Sequence, residues 1–289
     1  MKAISGHTTP FAVLGHPIGH SLSPVMHNRS IEALTMDAIY LAFDVAPEKL
    51  MAVLTAMRDM GFGGINLTVP LKEVAFRGVD EHAQSATLAR SVNTIEFLND
   101  GRLKGHSTDG DGFISAVRES FNSSIAGLTV FVLGCGGAGR AVAITCATEG
   151  ASRVVLSDID QTRIDAVTTE IGQLAPTVDV RSAGIASADW QAASHEADLV
   201  IQATPIGMNA DDAPLLAADA FHKGQFLFDL IYMFPKTAIM IEADKAGATT
   251  ANGLGMLLHQ GARSFEIWTG NTPDVNAMRD ALEQAVYAS

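Results

Sequence analysis

Apolar residues follow two alternating patterns along the chain. Short, nearly continuous apolar runs predict buried strands, whereas apolar residues spaced three and four apart predict helices. Strands are predicted at 11–14, 38–43, 64–69, 128–133, 153–158, 197–203 and 224–231, with a β-hairpin formed by 91–97 and 103–106. Helices are predicted from residue 24, over 47–60, from 109 to about 120, after residue 136, and over 255–269 and 275–288. This alternation of strands and helices predicts an α/β fold.

A glycine-rich turn follows the apolar run at 128–133 and opens an alanine-rich helix. The strand after that helix ends in an acid, Asp158. Strand, glycines, helix and acid together make up a dinucleotide-binding fingerprint, in which the helix N-terminus faces the pyrophosphate and the acid accepts hydrogen bonds from a ribose. The residues predicted to contact the phosphates are Gly134, Gly136, Gly137, Ala138 and Gly139.

The order of the elements predicts two domains. An N-terminal α/β domain over residues 1–108 would be completed by C-terminal helices from 251–289, and a Rossmann domain would occupy 109–250. We expect substrate and nicotinamide to bind in a cleft between the two domains.

Composition and charge narrow the class of function. The 289 residues carry a formal net charge of −13, which argues against a nucleic-acid partner. Two cysteines without zinc-type spacing and nine histidines without an HxxxH pair beside an acid predict no disulfide framework and no metal site. Without a leader or a membrane-spanning apolar run, we expect a cytoplasmic protein that acts on a small molecule.

Polar residues interrupt the predicted strands and turns of the N-terminal domain. Because side chains alternate along a strand, Asn66 and Thr68 lie on one face, as donors to a polyol would. In the alternative interpretation, Asn66 and Thr68 satisfy neighbouring backbone groups, while Ser21 and Ser23 cap the helix after Pro24.

Lys72 and Asp109 are also open to two interpretations. A lysine is usually solvated, and an aspartate before a glycine is a common helix cap. Beside a nicotinamide, however, a lysine and an aspartate can form the acid–base pair that takes the hydroxyl proton of a secondary alcohol.

Eight ordered motifs link the chain to a known family. They lie at 15–24, 64–73, 91–94, 107–113, 134–141, 203–208, 229–232 and 255–260. In these motifs the chain resembles the shikimate/quinate dehydrogenases. The resemblance implies reversible oxidation of shikimate at C3 to 3-dehydroshikimate, with hydride passing to the nicotinamide and with Lys72 and Asp109 as the catalytic pair.

The resemblance also implies the binding residues. Ser21 and Ser23 would hold the substrate carboxylate, and Tyr232 would assist there or at the cleft wall. The residues expected to bind hydroxyls are Asn66, Thr68, Asn93 and Gln260. Those expected to line the nicotinamide end are Thr204, Met208 and Gly253, although Met208 can equally be ordinary core.

The segment after the second Rossmann strand departs from the Asn-Arg-Thr turn with which many family members bind NADP. It reads Asp158-Ile159-Asp160, with Arg163 one turn later. Asp158 can accept bonds from both ribose hydroxyls of NAD and would repel a 2′-phosphate. We therefore predict NAD in preference to NADP, as in the NAD-dependent quinate/shikimate subgroup that this segment resembles.

Other departures leave the substrate open. Ser23 favours shikimate over quinate, because the quinate users of the resemblance carry a threonine there, but a methyl group changes discrimination by only about 1–3 kcal/mol. Ser91, Ser107 and Gln202 also replace residues usual in the family. A quinate or aminoshikimate-type dehydrogenase, a catalytically weak shikimate-binding relative, and a homodimer all remain open.

Overall fold

The computed structural model describes residues 3–288. They form two compact units: the chain up to Gly112 together with the chain from Leu257 onward, and the segment Phe113–Met256. Within the described residues 3–288, no helix is long and apolar enough to cross a membrane.

The first unit contains a six-stranded mixed sheet. Its strands are β1 (Thr9–Gly15), β2 (Ala38–Asp44), β3 (Gly64–Leu67), β4 (Glu81–His82), β5 (Thr94–Phe97) and β6 (Leu103–His106). The strand order is β2-β1-β3-β5-β6-β4, with β5 antiparallel to both of its neighbours. The helices before the second unit are α1 (Ser23–Ala33), α2 (Leu50–Asp59), α3 (Leu71–Gly78) and α4 (Gln84–Ala89).

The second unit contains a six-stranded parallel sheet. Its strands are β7 (Thr129–Leu133), β8 (Arg153–Ser157), β9 (Asp179–Ser182), β10 (Leu199–Gln202), β11 (Phe226–Asp229) and β12 (Thr249–Asn252). The order β12-β11-β10-β7-β8-β9 is that of a doubly wound dinucleotide-binding sheet. Its helices are α6 (Gly137–Thr148), α7 (Gln161–Leu174), α8 (Ser187–Glu196) and α9 (Ala238–Lys245). The predicted α/β fold class is therefore confirmed.

Three further helices complete the chain. Helix α5 (Asp109–Phe121) leads from the first unit into the second, α10 (Leu254–Thr269) leads back, and α11 (Val275–Tyr287) follows in the first unit. These three helices lie where helices are predicted from the sequence, at 109 to about 120, 255–269 and 275–288.

Several predicted strands and helices have other bounds in the structure. The strand predicted over 64–69 ends at Leu67, because Pro70 lacks the N–H that a strand needs, and α3 begins at Leu71. The helix predicted over 47–60 begins as a short 3-10 turn, Pro47–Lys49, before α2. The first change matters for the site, since it places Lys72 in the first turn of a helix.

Candidate active site

Lys72 and Asp109 form an ion pair in the first unit. The distance between Lys72 Nζ and Asp109 Oδ2 is 2.6 Å. Lys72 lies in the first turn of α3, and Asp109 is the first residue of α5, where the positive end of the helix dipole favours a carboxylate. Their side chains are 29% and 17% exposed, so both groups can be reached from solvent. The pair has the composition and access of an acid–base centre.

Asn93 orients the second oxygen of Asp109. Its Nδ2 donates to Asp109 Oδ1 at 2.9 Å and to Thr108 Oγ1 at 2.9 Å. Its Oδ1 accepts from the backbone N–H of Thr108, also at 2.9 Å. Gln260 Oε1 is 3.4 Å from the same Asn93 nitrogen. The structure therefore brings together Lys72, Asp109, Asn93 and Gln260, as expected of one site.

Asn66 lies beneath this site and is only 5% exposed. Its Oδ1 accepts from the Tyr40 hydroxyl at 2.7 Å, and its Nδ2 donates to Ser264 Oγ at 2.9 Å. The same nitrogen lies 3.1 Å from both Asn93 O and Thr94 Oγ1. These contacts fit the alternative that Asn66 bonds to neighbouring groups of the protein, and its role in binding a substrate hydroxyl stays a prediction.

Ser21 and Thr68 lie in the loops after β1 and β3, and Ser23 begins α1. Ser23 is buried as the first residue of α1, and its backbone N–H donates to Ser21 Oγ at 3.3 Å. The N-cap residue of α1 is Leu22, which makes no side-chain cap, and Ser21 Oγ accepts the N–H of the first helical residue, so the alternative capping role stays open for Ser21. Thr68 is half-buried directly after β3, with its N–H bonded to Leu14 O.

The glycine-rich turn in the second unit has the close contacts that only glycine allows. Gly134 has φ +94°, and a Cβ on Gly139 would lie 1.8 Å from the Gly134 carbonyl oxygen. A Cβ on Gly136 or Gly137 would meet nothing within 4 Å, which leaves open space in front of the first turn of α6. Ala138 is exposed beside them. Open space before unpaired helix N–H groups fits a pyrophosphate, so these residues fit a dinucleotide cofactor.

Asp158 is held at the end of β8 by two backbone groups. Its Oδ2 accepts from Cys135 N at 2.7 Å, and its Oδ1 accepts from Asp160 N at 2.9 Å. Arg163 lies 3.8 Å from Asp158 Oδ2 and 3.5 Å from Asp160 Oδ2. The guanidinium of Arg163 therefore faces two carboxylates.

A cavity of about 280 Å³ opens beside Asp158 within the second unit. Its walls include Gly134, Gly136, Ile159, Arg163 and Thr204. A concave, mostly apolar space next to the glycine-rich turn fits the adenosine half of a dinucleotide.

Gln202 shapes the loop that carries Thr204 and Met208. Its Nε2 donates to the carbonyl oxygens of Thr204 and Ile206, and its Oε1 accepts from Thr204 N at 2.8 Å. Met208 is half exposed, so the alternative that it is ordinary core does not apply. The glutamine that departs from the family pattern thus has a structural role.

Asp229 anchors the loop that carries Tyr232. Its Oδ1 accepts from Ile231 N at 3.0 Å, and its Oδ2 accepts from Thr237 Oγ1 at 2.6 Å. Burial raises the pKa of Asp229 to about 6, against opposing hydrogen bonds from Thr237 and Ile231. A Cβ on Gly253 would lie 2.1 Å from Leu230 O, so glycine is required there for close packing. Tyr232 and Gly253 belong to the second unit, and their predicted roles stay predictions.

Several residues at these sites escaped the sequence analysis. Trp190 also lines the cavity beside Asp158, and its Nε1 donates to Ser157 Oγ at 2.8 Å. In the first unit the missed residues are Tyr40 and Ser264, while Thr94 and Thr108 lie in the motifs at 91–94 and 107–113 without an assigned role. Ser264 stands four residues after Gln260, which places both on one face of α10, and this spacing could have identified it. Among residues 3–288, no three His, Cys, Asp or Glu side chains come close enough to hold a metal ion.

Two family models match the chain. Residues 13–95 match the model described as the shikimate dehydrogenase substrate binding domain. Residues 253–283 match the model described as the shikimate 5′-dehydrogenase C-terminal domain. The first match includes Lys72 and Asn93, and the second includes Gln260.

Similar proteins cover nearly the whole chain. A curated relative from Methanopyrus kandleri, named shikimate dehydrogenase (NADP(+)), is 39% identical over 97% of both chains. The structure of shikimate 5-dehydrogenase from Listeria monocytogenes in complex with shikimate and NAD has a TM-score of 0.90 at 32% identity and covers 98% of this chain and 99% of that one. Quinate dehydrogenase from Corynebacterium glutamicum in complex with NAD has a TM-score of 0.86 at 28% identity, covering 95% and 98%.

Proposed function

Because this chain belongs to the shikimate dehydrogenase family, we propose that it catalyses the reversible oxidation of shikimate to 3-dehydroshikimate with NAD as oxidant. The observation that carries the proposal is the 2.6 Å contact between Lys72 Nζ and Asp109 Oδ2. When bound, NAD supplies the acceptor for the hydride that leaves C3 of the substrate.

Lys72 and Asp109 handle the proton of the C3 hydroxyl. Lys72 Nζ in its neutral form takes this proton as the C3 hydrogen departs with its electron pair, and C3 becomes a carbonyl carbon. Asp109 orients Nζ through the hydrogen bond and stabilises the ammonium that forms. In the reverse direction the ammonium returns the proton to the forming hydroxyl.

The remaining polar residues of the first unit bind the substrate. Ser21 and Ser23 hold its carboxylate, while Thr68, Asn93 and Gln260 bind its hydroxyls. Asn93 has both a side-chain amide and a direct bond to Asp109, so it couples substrate position to the catalytic carboxylate. A group held in this way contributes by fixing the reacting atoms within bonding distance.

The preference for NAD rests on the surroundings of Asp158. Backbone N–H groups fix its carboxylate at the edge of the cavity, where a 2′-phosphate would meet a like charge. Arg163 is already paired with Asp158 and Asp160, and Ile159 is 86% exposed without any charge to offer a phosphate. The curated relative above carries NADP(+) in its name, so the assays compare both nucleotides.

The direct test is a set of four assays that combine shikimate or quinate with NAD or NADP. We expect the highest kcat/KM for shikimate with NAD. A higher value for quinate would replace the substrate in this proposal, and a higher value with NADP would replace the cofactor. Turnover in none of the four assays would indicate a binding relative without catalytic activity.

Substitution of Lys72 tests the assignment of the base. We expect Lys72→Met to lower kcat by about 10³-fold with little change in thermal stability, because it removes the proton acceptor. Lys49→Met is the matched control, since Lys49 is an exposed lysine of the same unit outside the site. A Lys72→Met enzyme within tenfold of wild type would show that proton transfer does not depend on this amine.

A further inference from the structure

A continuous chain of hydrogen bonds runs through the buried interior of the first unit and ends at the catalytic carboxylate. In order, its members are Tyr40, Asn66, Ser264, Thr94, Asn93 and Asp109. The successive distances between bonded atoms are 2.7, 2.9, 2.7, 2.9 and 2.9 Å. The five members before Asp109 are buried, so water cannot replace a lost partner and each bond matters to its neighbours.

One arrangement of protons satisfies every bond in this chain. Tyr40 donates to Asn66 Oδ1, and the Asn66 amide donates to Ser264 Oγ. In this arrangement the Ser264 proton points to Thr94 Oγ1 at 2.7 Å, and the Gln260 carbonyl oxygen lies 3.0 Å from the same hydroxyl. Thr94 Oγ1 then donates to Asn93 Oδ1, and Asn93 Nδ2 donates to Asp109 Oδ1. Lys72 donates to the other oxygen of Asp109, so the carboxylate accepts from both sides.

The far end of the chain is fixed as a donor. Burial raises the pKa of Tyr40 well above its usual value, against a hydrogen bond from Ser23, so the phenol keeps its proton. The His27 ring stacks on Tyr40 with centroids 4.2 Å apart. Burial also lowers the pKa of His27 to about 3, so His27 brings no charge to this region at neutral pH.

We propose that Ser264 is a positioning residue for the reaction. Its hydroxyl joins the Asn66 side of the chain to the Thr94–Asn93 side and thereby sets the side-chain orientation of Asn93, which holds Asp109. Thr94 Oγ1 also contacts Asn66 Nδ2 at 3.1 Å, but among the six members only Ser264 belongs to α10 and so links this helix to the chain. Ser264 acts through Asn93 and does not touch the substrate.

The position of Ser264 on α10 strengthens this assignment. It lies one turn after Gln260, and its Oγ is 3.0 Å from the Gln260 carbonyl oxygen and 3.2 Å from Thr108 Oγ1. Thr108 in turn holds Asn93 and directly precedes Asp109. One hydroxyl therefore ties the helix that carries Gln260 to the turn that carries the catalytic acid.

The inference rests on the proposed function and is tested with the full-length enzyme. We expect Ser264→Ala to lower kcat for shikimate oxidation by about tenfold and to raise the KM for shikimate less than threefold, because orientation of the catalytic pair is lost more than binding. Ser264→Thr keeps the hydroxyl and should recover kcat to within threefold of wild type. Tyr40→Phe removes the first donor with little loss of packing and should also lower kcat.

Ser30→Ala is the matched control. Ser30 is a fully buried serine of the same unit whose hydroxyl bonds to Asp274 N, outside the chain described here. It should lose stability as Ser264→Ala does but keep its kcat. Equal losses of kcat in the two variants, or a kcat of Ser264→Ala within twofold of wild type, would overturn the proposal. If Ser264→Ala does not fold, Tyr40→Phe takes its place in the test. A kcat of Tyr40→Phe within twofold of wild type, or a loss equal to that of Ser30→Ala, would then overturn the proposal.

A second readout separates this inference from the proposed function. Hydrogen exchange of the Asn93 side-chain amide, followed by NMR without substrate, should be slow in wild type and Ser30→Ala and much faster in Ser264→Ala. Unchanged exchange in Ser264→Ala would contradict the positioning role whatever the substrate is. Loss of the Asn93 protection in an enzyme that does not oxidise shikimate would refute the proposed function and leave the role of Ser264 standing.

Discussion

Replacement of Asp229 by asparagine is expected to stabilise the protein at neutral pH. Asp229 is fully buried at the end of β11, and this burial raises its pKa from 3.8 to about 6. Between these two pH values the folded state binds the proton more tightly than the unfolded state. The free energy of unfolding therefore falls as the pH rises through this window and stays lower above it.

The size of the effect follows from the shift. A difference of about 2 pKa units corresponds to roughly 3 kcal/mol of stability lost above pH 6. Asparagine resembles the protonated acid: its Oδ1 can accept from Ile231 N, and its Nδ2 can donate to Thr237 Oγ1. Since both bonds persist, the loop that carries Tyr232 should keep its conformation, and we expect less than a threefold change in the KM for shikimate.

Urea unfolding at several pH values between about 4.5 and 7.5 measures this difference. The protein has two tryptophans, Trp190 in the second unit and Trp268 in the first. A Trp268→Phe background makes the fluorescence report on the second unit, which contains Asp229. The advantage of Asp229→Asn should grow with pH and reach about 3 kcal/mol above pH 6.

Asp212→Asn provides a control of opposite sign in the same unit. Backbone hydrogen bonds from Gly207 and Asn209 lower the pKa of Asp212. The charge of Asp212 therefore stabilises the fold once the pH exceeds the pKa that this residue has in the unfolded state. This variant should therefore be less stable than wild type by a nearly constant amount above about pH 5, in contrast to the growing advantage of Asp229→Asn. If Asp229→Asn is instead less stable than wild type at pH 7.5, or its advantage does not change with pH, the reasoning from burial is wrong.

Two further predictions concern the cofactor site. Gly136→Ala should raise the KM for the nucleotide with little loss of stability, because its Cβ enters open space before α6. Gly139→Ala should cost about 3 kcal/mol of stability, because its Cβ meets Gly134 O. Similar melting temperatures for the two variants would contradict this. The double variant Asp158→Asn with Ile159→Arg should raise the ratio of kcat/KM for NADP to that for NAD by at least about tenfold, because a like charge is removed and a phosphate-binding guanidinium is added. An unchanged ratio would show that these positions do not select the nucleotide.

The cofactor-binding region could be predicted from the sequence because its determinants are local. The glycine-rich turn at 134–139 and Asp158 belong to one strand–helix–strand unit, and glycine is required where a turn and a helix approach within contact distance. Strands and helices could also be predicted from the spacing of apolar residues, because this spacing is local in the sequence. The order of the parallel strands, by contrast, needs the tertiary structure.

The substrate site depended on two other sources. The pairing of Lys72 with Asp109 came from the family resemblance, because nothing in their spacing of 37 residues indicates a contact. Thr68 and Asn66 share a face by alternation, but alternation does not show what lies against that face.

Only the tertiary structure identifies the partners of Asn66. The antiparallel register places Asn66 opposite Thr94, and α10 brings Ser264 to it from 198 residues further along the chain. These partners bond the amide hydrogens of Asn66. A sequence specifies which polar groups a strand carries, but the burial and the partners of each group are set by packing between distant segments.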